Sequence, residues 1–147
     1  SGLSVACIYG GTKMQRDINL LQKRLPTILV ATPGRLQDHI EGTKIHSQKF
    51  ADMLGSTKIV VLDEMDALLD MGFKRDILKI LSYLPRLAKR QTLLFSATLP
   101  KSLRSILKKI VGEDYSEINC VDEDDARTHT NLRVEQNYMV LHSMEEY

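Results

Sequence analysis

Five short apolar runs, separated by segments of helical spacing, limit this chain to very few folds. The runs are Leu3–Tyr9, Thr27–Ala31, Lys58–Leu62, Thr92–Phe95 and Glu117–Val121. Helical spacing marks Met14–Arg24, Arg35–Glu41, Ser47–Leu54, Phe73–Leu84 and Lys101–Val111. In the last two, Ile77, Ile80, Leu81 and Leu84, then Leu103, Ile106, Leu107 and Ile110, recur three and four residues apart. That is the stripe of a helix packed on one face. Pro100 is placed to open the final helix, because its fixed φ suits a first turn. Strands that alternate with helices predict a parallel sheet with helices on both faces, the doubly wound α/β class.

A length of 147 residues with 43% hydrophobic content suits one ordinary domain. Asp122–Thr130 breaks the pattern with an acidic, polar stretch and predicts an exposed linker. Beyond it, Leu132–Leu141 reads as one more strand. A net charge of +1 leaves any polyanion binding to local patches. Cys7 and Cys120 lie far apart in apolar runs and read as reduced core residues of an intracellular protein. The four histidines are scattered, which disfavours a zinc site. No apolar stretch reaches membrane-spanning length, and the first residues lack the regions of a signal peptide. Aromatic content of 5% gives base stacking little support, so a bound nucleic acid is expected to be held by its backbone.

The chemistry concentrates at strand ends. Val60-Val61-Leu62 runs straight into Asp63-Glu64-Met65-Asp66. Carboxylates are costly to bury, so these acids should meet solvent, a donor or a cation. At the carboxyl end of a strand, an Asp-Glu pair fits a magnesium–nucleotide site, and it also fits a plain acidic first helical turn. Ala31-Thr32-Pro33-Gly34-Arg35 follows another strand. Thr32 can cap a helix, Pro33 suits its first turn, and the free N–H groups with Arg35 form a candidate phosphate site. A tight turn with Arg35 in solvent is the alternative. Gly10-Gly11 is either a turn or a close approach to a polynucleotide backbone. Ser96-Ala97-Thr98 ends a further strand with two hydroxyls able to bond a neighbouring acid. Ser96 has no Gly-x-Ser-x-Gly setting, which argues against a hydrolase nucleophile.

In this order and spacing, the motifs resemble those of the DEAD-box ATP-dependent RNA helicases. Gly10-Gly11 is similar to the family's GG motif, and Thr32-Pro33-Gly34-Arg35 to its TPGR motif. Asp63-Glu64-Met65-Asp66, continuing through Leu68-Leu69-Asp70-Met71-Gly72-Phe73, is similar to its Walker B signature and the following helix. Ser96-Ala97-Thr98 is similar to its SAT motif, and Thr128-His129 with Val134-Glu135-Gln136 to the passage between the two helicase domains. The resemblance implies a partial RecA-like (P-loop NTPase) sheet, ATP and magnesium as cofactors, and RNA as partner. Asp63 would hold magnesium through its water shell, and Glu64 would orient and deprotonate the hydrolytic water. Asp66 would bond Ser96 and Thr98, coupling nucleotide state to RNA state. Gly11, Thr32, Gly34 and Arg35 would contact RNA phosphates. Met65 departs from the pattern, which has alanine there.

No Gly-x-x-x-x-Gly-Lys-Ser/Thr loop occurs in the 147 residues. The resemblance therefore implies residues 1–121 as the latter part of the first RecA-like domain. Residues 122–131 would be a linker and 132–147 the start of the second domain. On that reading the chain is a fragment, inactive alone, of a helicase that separates short duplexes. A DNA helicase or translocase and a non-catalytic helicase-like scaffold stay open as alternatives. The nuclear or nucleolar, cytoplasmic and mitochondrial compartments are not distinguished.

Overall fold

Two parallel strand pairs carry the architecture of the computed structural model, which describes residues 2–120, 135 and 137–140. Strand β1 (Val5–Ile8) leads through helix α1 (Met14–Lys23) to β2 (Ile28–Ala31), and the two strands pair in parallel from Val5 opposite Ile28 to Ile8 opposite Ala31. Helix α2 (Pro33–Gly42) follows, then a small antiparallel hairpin of β3 (Lys44–Ile45) and β4 (Gln48–Lys49), and the short helix α3 (Phe50–Met53). Strand β5 (Ile59–Leu62) leads through α4 (Met65–Asp70) and α5 (Lys74–Ser82) to β6 (Gln91–Leu94). These strands also pair in parallel, Ile59 opposite Gln91 through Leu62 opposite Leu94. Helix α6 (Lys101–Val111) completes the α/β arrangement of parallel pairs with helices on both sides.

Helix α5 shows how the sequence stripe becomes packing. Its Ile77 and Leu81 enter a core with Val60 of β5, Met65 of α4, and Leu103, Ile106 and Ile110 of α6. Its Ile80 instead joins Leu21 of α1, Ile40 of α2, Ile45 of β3 and Phe50 of α3 in a second core. One amphipathic helix thus takes part in both cores. An exposed Lys79–Glu41 ion pair adds a tie from α5 to α2. Such surface pairs contribute little.

The helical cover of the strands is uneven. Strand side chains alternate between faces, and Val5, Ile28, Val30, Ile59, Val61 and Leu93 are exposed while Ala6, Ile8 and Val60 are buried. Cys7 shares the open face of β1 with Val5. Both Cys7 and Cys120 are free and exposed, which corrects their assignment to the core. An apolar run alone does not say which face of its strand is covered.

Two further expectations need correction. The segment read as a helix over Ser47–Leu54 is a hairpin strand, a single helical turn at Phe50–Met53 and a 3-10 turn at Leu54–Ser56. His46 and Ser47 both have positive φ, 47° and 70°, the backbone of a two-residue hairpin turn. That turn lacks the Asn-Gly or Asp-Gly signal that would reveal it in a sequence. The run Glu117–Val121 forms no strand over its described residues 117–120, where Ile118 is 84% exposed. Strand character there requires a neighbouring ladder.

The chain divides into two units, Ser1–Tyr115 and Ser116–Tyr147. The proposed linker, 122–131, lies outside the described residues. Of the strand expected over Leu132–Leu141, only 135 and 137–140 are described, and they belong to no strand.

Met65, the departure in the acidic signature, is fully buried in the β5–α6 core. Its flexible thioether side chain fills space between elements. Trimming it to alanine leaves a cavity, so Met65→Ala should lower the unfolding free energy by about 2–5 kcal/mol, read by urea denaturation. A loss under about 0.5 kcal/mol would mean that the core closes around the smaller residue.

Candidate nucleotide and RNA site

The ladder between β5 and β6 continues beyond the strands and fixes the site. Phe95 N–H donates to the Leu62 carbonyl at 2.8 Å, and Met65 N–H donates to the Phe95 carbonyl at 3.0 Å. Because the pair is parallel and in register, the carboxyl ends of both strands lie side by side, which brings Asp63–Asp66 against Ser96–Thr98.

Glu64 makes the turn from strand to helix with φ 49° and ψ 50°, a left-handed conformation. For a residue with a Cβ this costs roughly 1–2 kcal/mol. It is retained where the chain reverses from β5 into α4, with Glu64 N–H donating to Asp63 Oδ1 at 3.0 Å. Both acidic side chains are exposed at this turn. Strained backbone of this kind concentrates at functional sites.

Asp66, in the first turn of α4, is tied to the second motif by three bonds. Its backbone N–H donates to Ser96 Oγ at 3.2 Å. Its carboxylate Oδ2 accepts from Thr98 N–H at 2.9 Å and from Thr98 Oγ1 at 2.8 Å. Ser96 Oγ in turn donates to the Thr98 carbonyl at 2.7 Å, and Asp66 Oδ1 accepts from Ala67 N–H at 3.1 Å. Ser96 therefore meets the backbone of Asp66, and Thr98 meets its carboxylate. The Thr98 hydroxyl, chief among these donors, holds the Asp66 carboxyl below the ordinary aspartate range. Glu64, Asp66, Ala67, Asp70, Ala97 and Thr98 line an open cleft at this end of the strands.

Among the described residues, no group of three or more His, Cys, Asp or Glu is arranged to hold a metal. The exposed Asp63 carboxylate fits a cation that brings its own water and phosphate ligands, the usual habit of magnesium.

The second constellation surrounds the carboxyl ends of β1 and β2. Gly10 and Gly11 form a turn after β1, with Gly11 at φ 79°, a conformation that favours glycine. Thr12 Oγ1 donates back to the Tyr9 carbonyl at 3.1 Å and closes it. Thr32 occupies the N-cap position of α2 with Pro33 next, as expected, but its hydroxyl makes no capping bond. Its backbone is the anchor, since Thr32 N–H donates to the Ile8 carbonyl at 3.2 Å. The first-turn N–H groups of α2 therefore have no side-chain cap, which suits an anion.

Arg35 lies inside this corner, only 7% exposed. Its Nη1 is 3.2 Å from Asp17 Oδ2, and its Nη2 donates to the Thr12 carbonyl. Asp17 Oδ2 also accepts from His39 Nε2 at 3.4 Å, and His39 Nδ1 meets Thr43 Oγ1 at 2.9 Å. Asp17, His39 and Thr43 are functional candidates that the motifs of the sequence do not include. A signal was present: Asp17 falls on the apolar face of Met14, Ile18 and Leu21, and His39 on that of Leu36 and Ile40.

The DEAD/DEAH box helicase family profile matches residues 1–106. The chain belongs to that family of helicases. It is 46% identical over 138 residues to the DEAD-box ATP-dependent RNA helicase 26 of Oryza sativa subsp. japonica, an alignment covering 94% of this chain and 24% of that protein. The protein of the same name from Arabidopsis thaliana is also 46% identical over 138 residues, covering 94% and 15%. The chain thus spans about a quarter or less of these two relatives. Among solved structures, a DEAD box protein from the hyperthermophile Methanococcus jannaschii is similar with a TM-score of 0.61 and 38% identity, covering 79% of this chain and 29% of that one. A hypothetical ATP-dependent RNA helicase from Sulfolobus tokodaii gives a TM-score of 0.59 at 39% identity, covering 74% and 30%. These structures share the RecA-like α/β fold expected from the motifs.

The Asp66–Thr98 bond has a pH signature. A depressed folded-state pKa contributes stability that is complete above the ordinary aspartate value and is lost as pH falls through the lowered one. Thr98→Ala should raise the Asp66 pKa toward the ordinary value, followed by the carbon-13 shift of its carboxyl group. An unmoved titration would show that the Thr98 hydroxyl does not set it.

Proposed function

We propose that this chain is part of an ATP-dependent RNA helicase, in which ATP binding and hydrolysis drive RNA binding and local duplex separation. Residues 1–121 supply the latter part of the first RecA-like domain, 122–131 a linker and 132–147 the start of the second. The observation that carries this reading is the Asp66–Thr98 bond, which joins the acidic signature to the hydroxyl motif across two parallel strand ends. A change at the nucleotide acids passes directly into the loop that leads to α6.

Each residue has a distinct role. Glu64, aimed by its left-handed turn, orients the attacking water and takes its proton. Asp63 would hold a magnesium ion, which when bound would supply positive charge against the phosphates. Asp66, Ser96 and Thr98 transmit the nucleotide state. Phosphates of the RNA backbone meet the Gly11 turn and the first turn of α2 at Thr32 and Gly34, with Arg35 as the cation of that corner. With no phosphate-cradling glycine loop in its 147 residues, the chain by itself does not turn over ATP.

Two variants of the full-length protein test this assignment. Glu64→Gln keeps the shape and removes the base, so steady-state ATP turnover should fall by roughly two to four orders of magnitude while ATP binding survives. Unchanged turnover would overturn the role of Glu64. Replacing Ser96 and Thr98 together with alanine removes the partners of Asp66 and leaves Asp63 and Glu64 in place. ATPase activity should persist while strand separation in a gel-based duplex assay fails. An equal loss of both activities would refute a coupling role.

A further inference from the structure

The corner beneath Gly11 and Thr32 contains two buried polar residues, Asp17 and His39, that the proposed chemistry does not use. Asp17, in the first turn of α1, is fully buried, as is His39 of α2, and Arg35 is nearly so. Isolating charged groups from water is costly, and removing one partner strands the other. The cost here is compounded, because Asp17 Oδ1 and Arg35 Nε are buried with no hydrogen-bond partner. A buried, imperfectly satisfied ion pair is a poor device for stability alone, where apolar side chains of similar volume would serve as well.

Its geometry suits another task. Arg35 meets three partners with one planar group: Asp17 and the Met14 sulfur of α1, the latter at 3.2 Å, and the Thr12 carbonyl just after the two glycines. A guanidinium can do this because its donors form a rigid fork. His39, one turn further along α2, grips the same Asp17 oxygen and is anchored by Thr43 and against the Phe50 ring at 5.7 Å. The Gly10–Gly11 turn, free to bend by composition, is thereby joined to the start of α2.

We propose that Asp17 is a positioning residue for the polynucleotide surface. Its carboxylate fixes Arg35, and Arg35 fixes the Thr12 carbonyl, so the Gly11 turn and the first turn of α2 meet successive backbone phosphates in one geometry. This rests on the reading of that corner as an RNA-backbone site.

The sign of the Asp17→Asn effect separates the possibilities. A carboxylate that merely sits near a polyanion repels it, so neutralising it would tighten RNA binding. Releasing Arg35 from its carboxylate would act in the same direction. A positioning carboxylate does the opposite. In the full-length protein, Asp17→Asn should raise the RNA concentration for half-maximal ATPase by about tenfold, because phosphate-facing groups displaced by about an ångström bind poorly. The ATP concentration for half-saturation should stay unchanged. Asp17→Glu, which keeps the charge, should recover part of the RNA affinity.

Arg35→Lys gives a second test that spares the charge, because one ammonium cannot span Asp17 and the Thr12 carbonyl as a fork does. It should weaken RNA binding in the same direction, and amide hydrogen exchange at Gly11–Lys13 should quicken. Tighter or unchanged RNA binding in a folded Asp17→Asn protein would overturn the positioning role. So would a parallel loss of ATP and RNA half-saturation in both variants, which marks general destabilisation. A wild-type protein whose ATPase ignores RNA would instead overturn the function proposed above, and this inference with it.

Discussion

The parallel, in-register pairing of β5 with β6 determines what this molecule can do. Parallel strands end on the same side, so two loops more than thirty residues apart in sequence emerge together. Leu62 stands opposite Leu94, and two further backbone bonds carry the ladder through Phe95 to Met65. A slip of one residue would turn β5 over, burying Val61 and displacing Val60 from the core. It would also move Asp66 away from Thr98. Register, fixed by apolar packing, therefore places polar atoms to within a hydrogen bond.

The same logic operates at the carboxyl ends of β1 and β2 with different means. There β1 and β2 bring the glycine turn and the start of α2 near one another. The final placement falls to a buried ion pair, because two glycines in succession have no side chains with which to hold a shape. The β5–β6 corner has Thr98 and Asp66 for that purpose and needs no charge from beneath.

Much of this was legible in the residues. Helices α5 and α6 were plain from their stripes, and the strands from apolar runs bounded by turn residues. The acids and hydroxyls at strand ends pointed to the site because polar groups interrupting apolar runs require an explanation. Three things were harder to read. The hairpin at His46–Ser47 has a left-handed turn built from residues that do not advertise it. The exposure of Cys7 depends on which strand face is covered, a tertiary fact. Asp17 and His39 were visible as polar residues on apolar helix faces, but their meaning required seeing that Asp17 meets both Arg35 and His39.

Met65 bears on how the family signature is read. Three of its four letters are set by chemistry that meets solvent or hydroxyls, and the third letter is set from below, by the space between β5, α4 and α6. The side chain there answers to Leu103, Ile106 and Ile110, not to nucleotide. Variation at that letter should then follow variation in the helix beneath it, large residues above appearing with small ones below. A family defined strictly by its four-letter name would sort its members partly by how their interiors are filled.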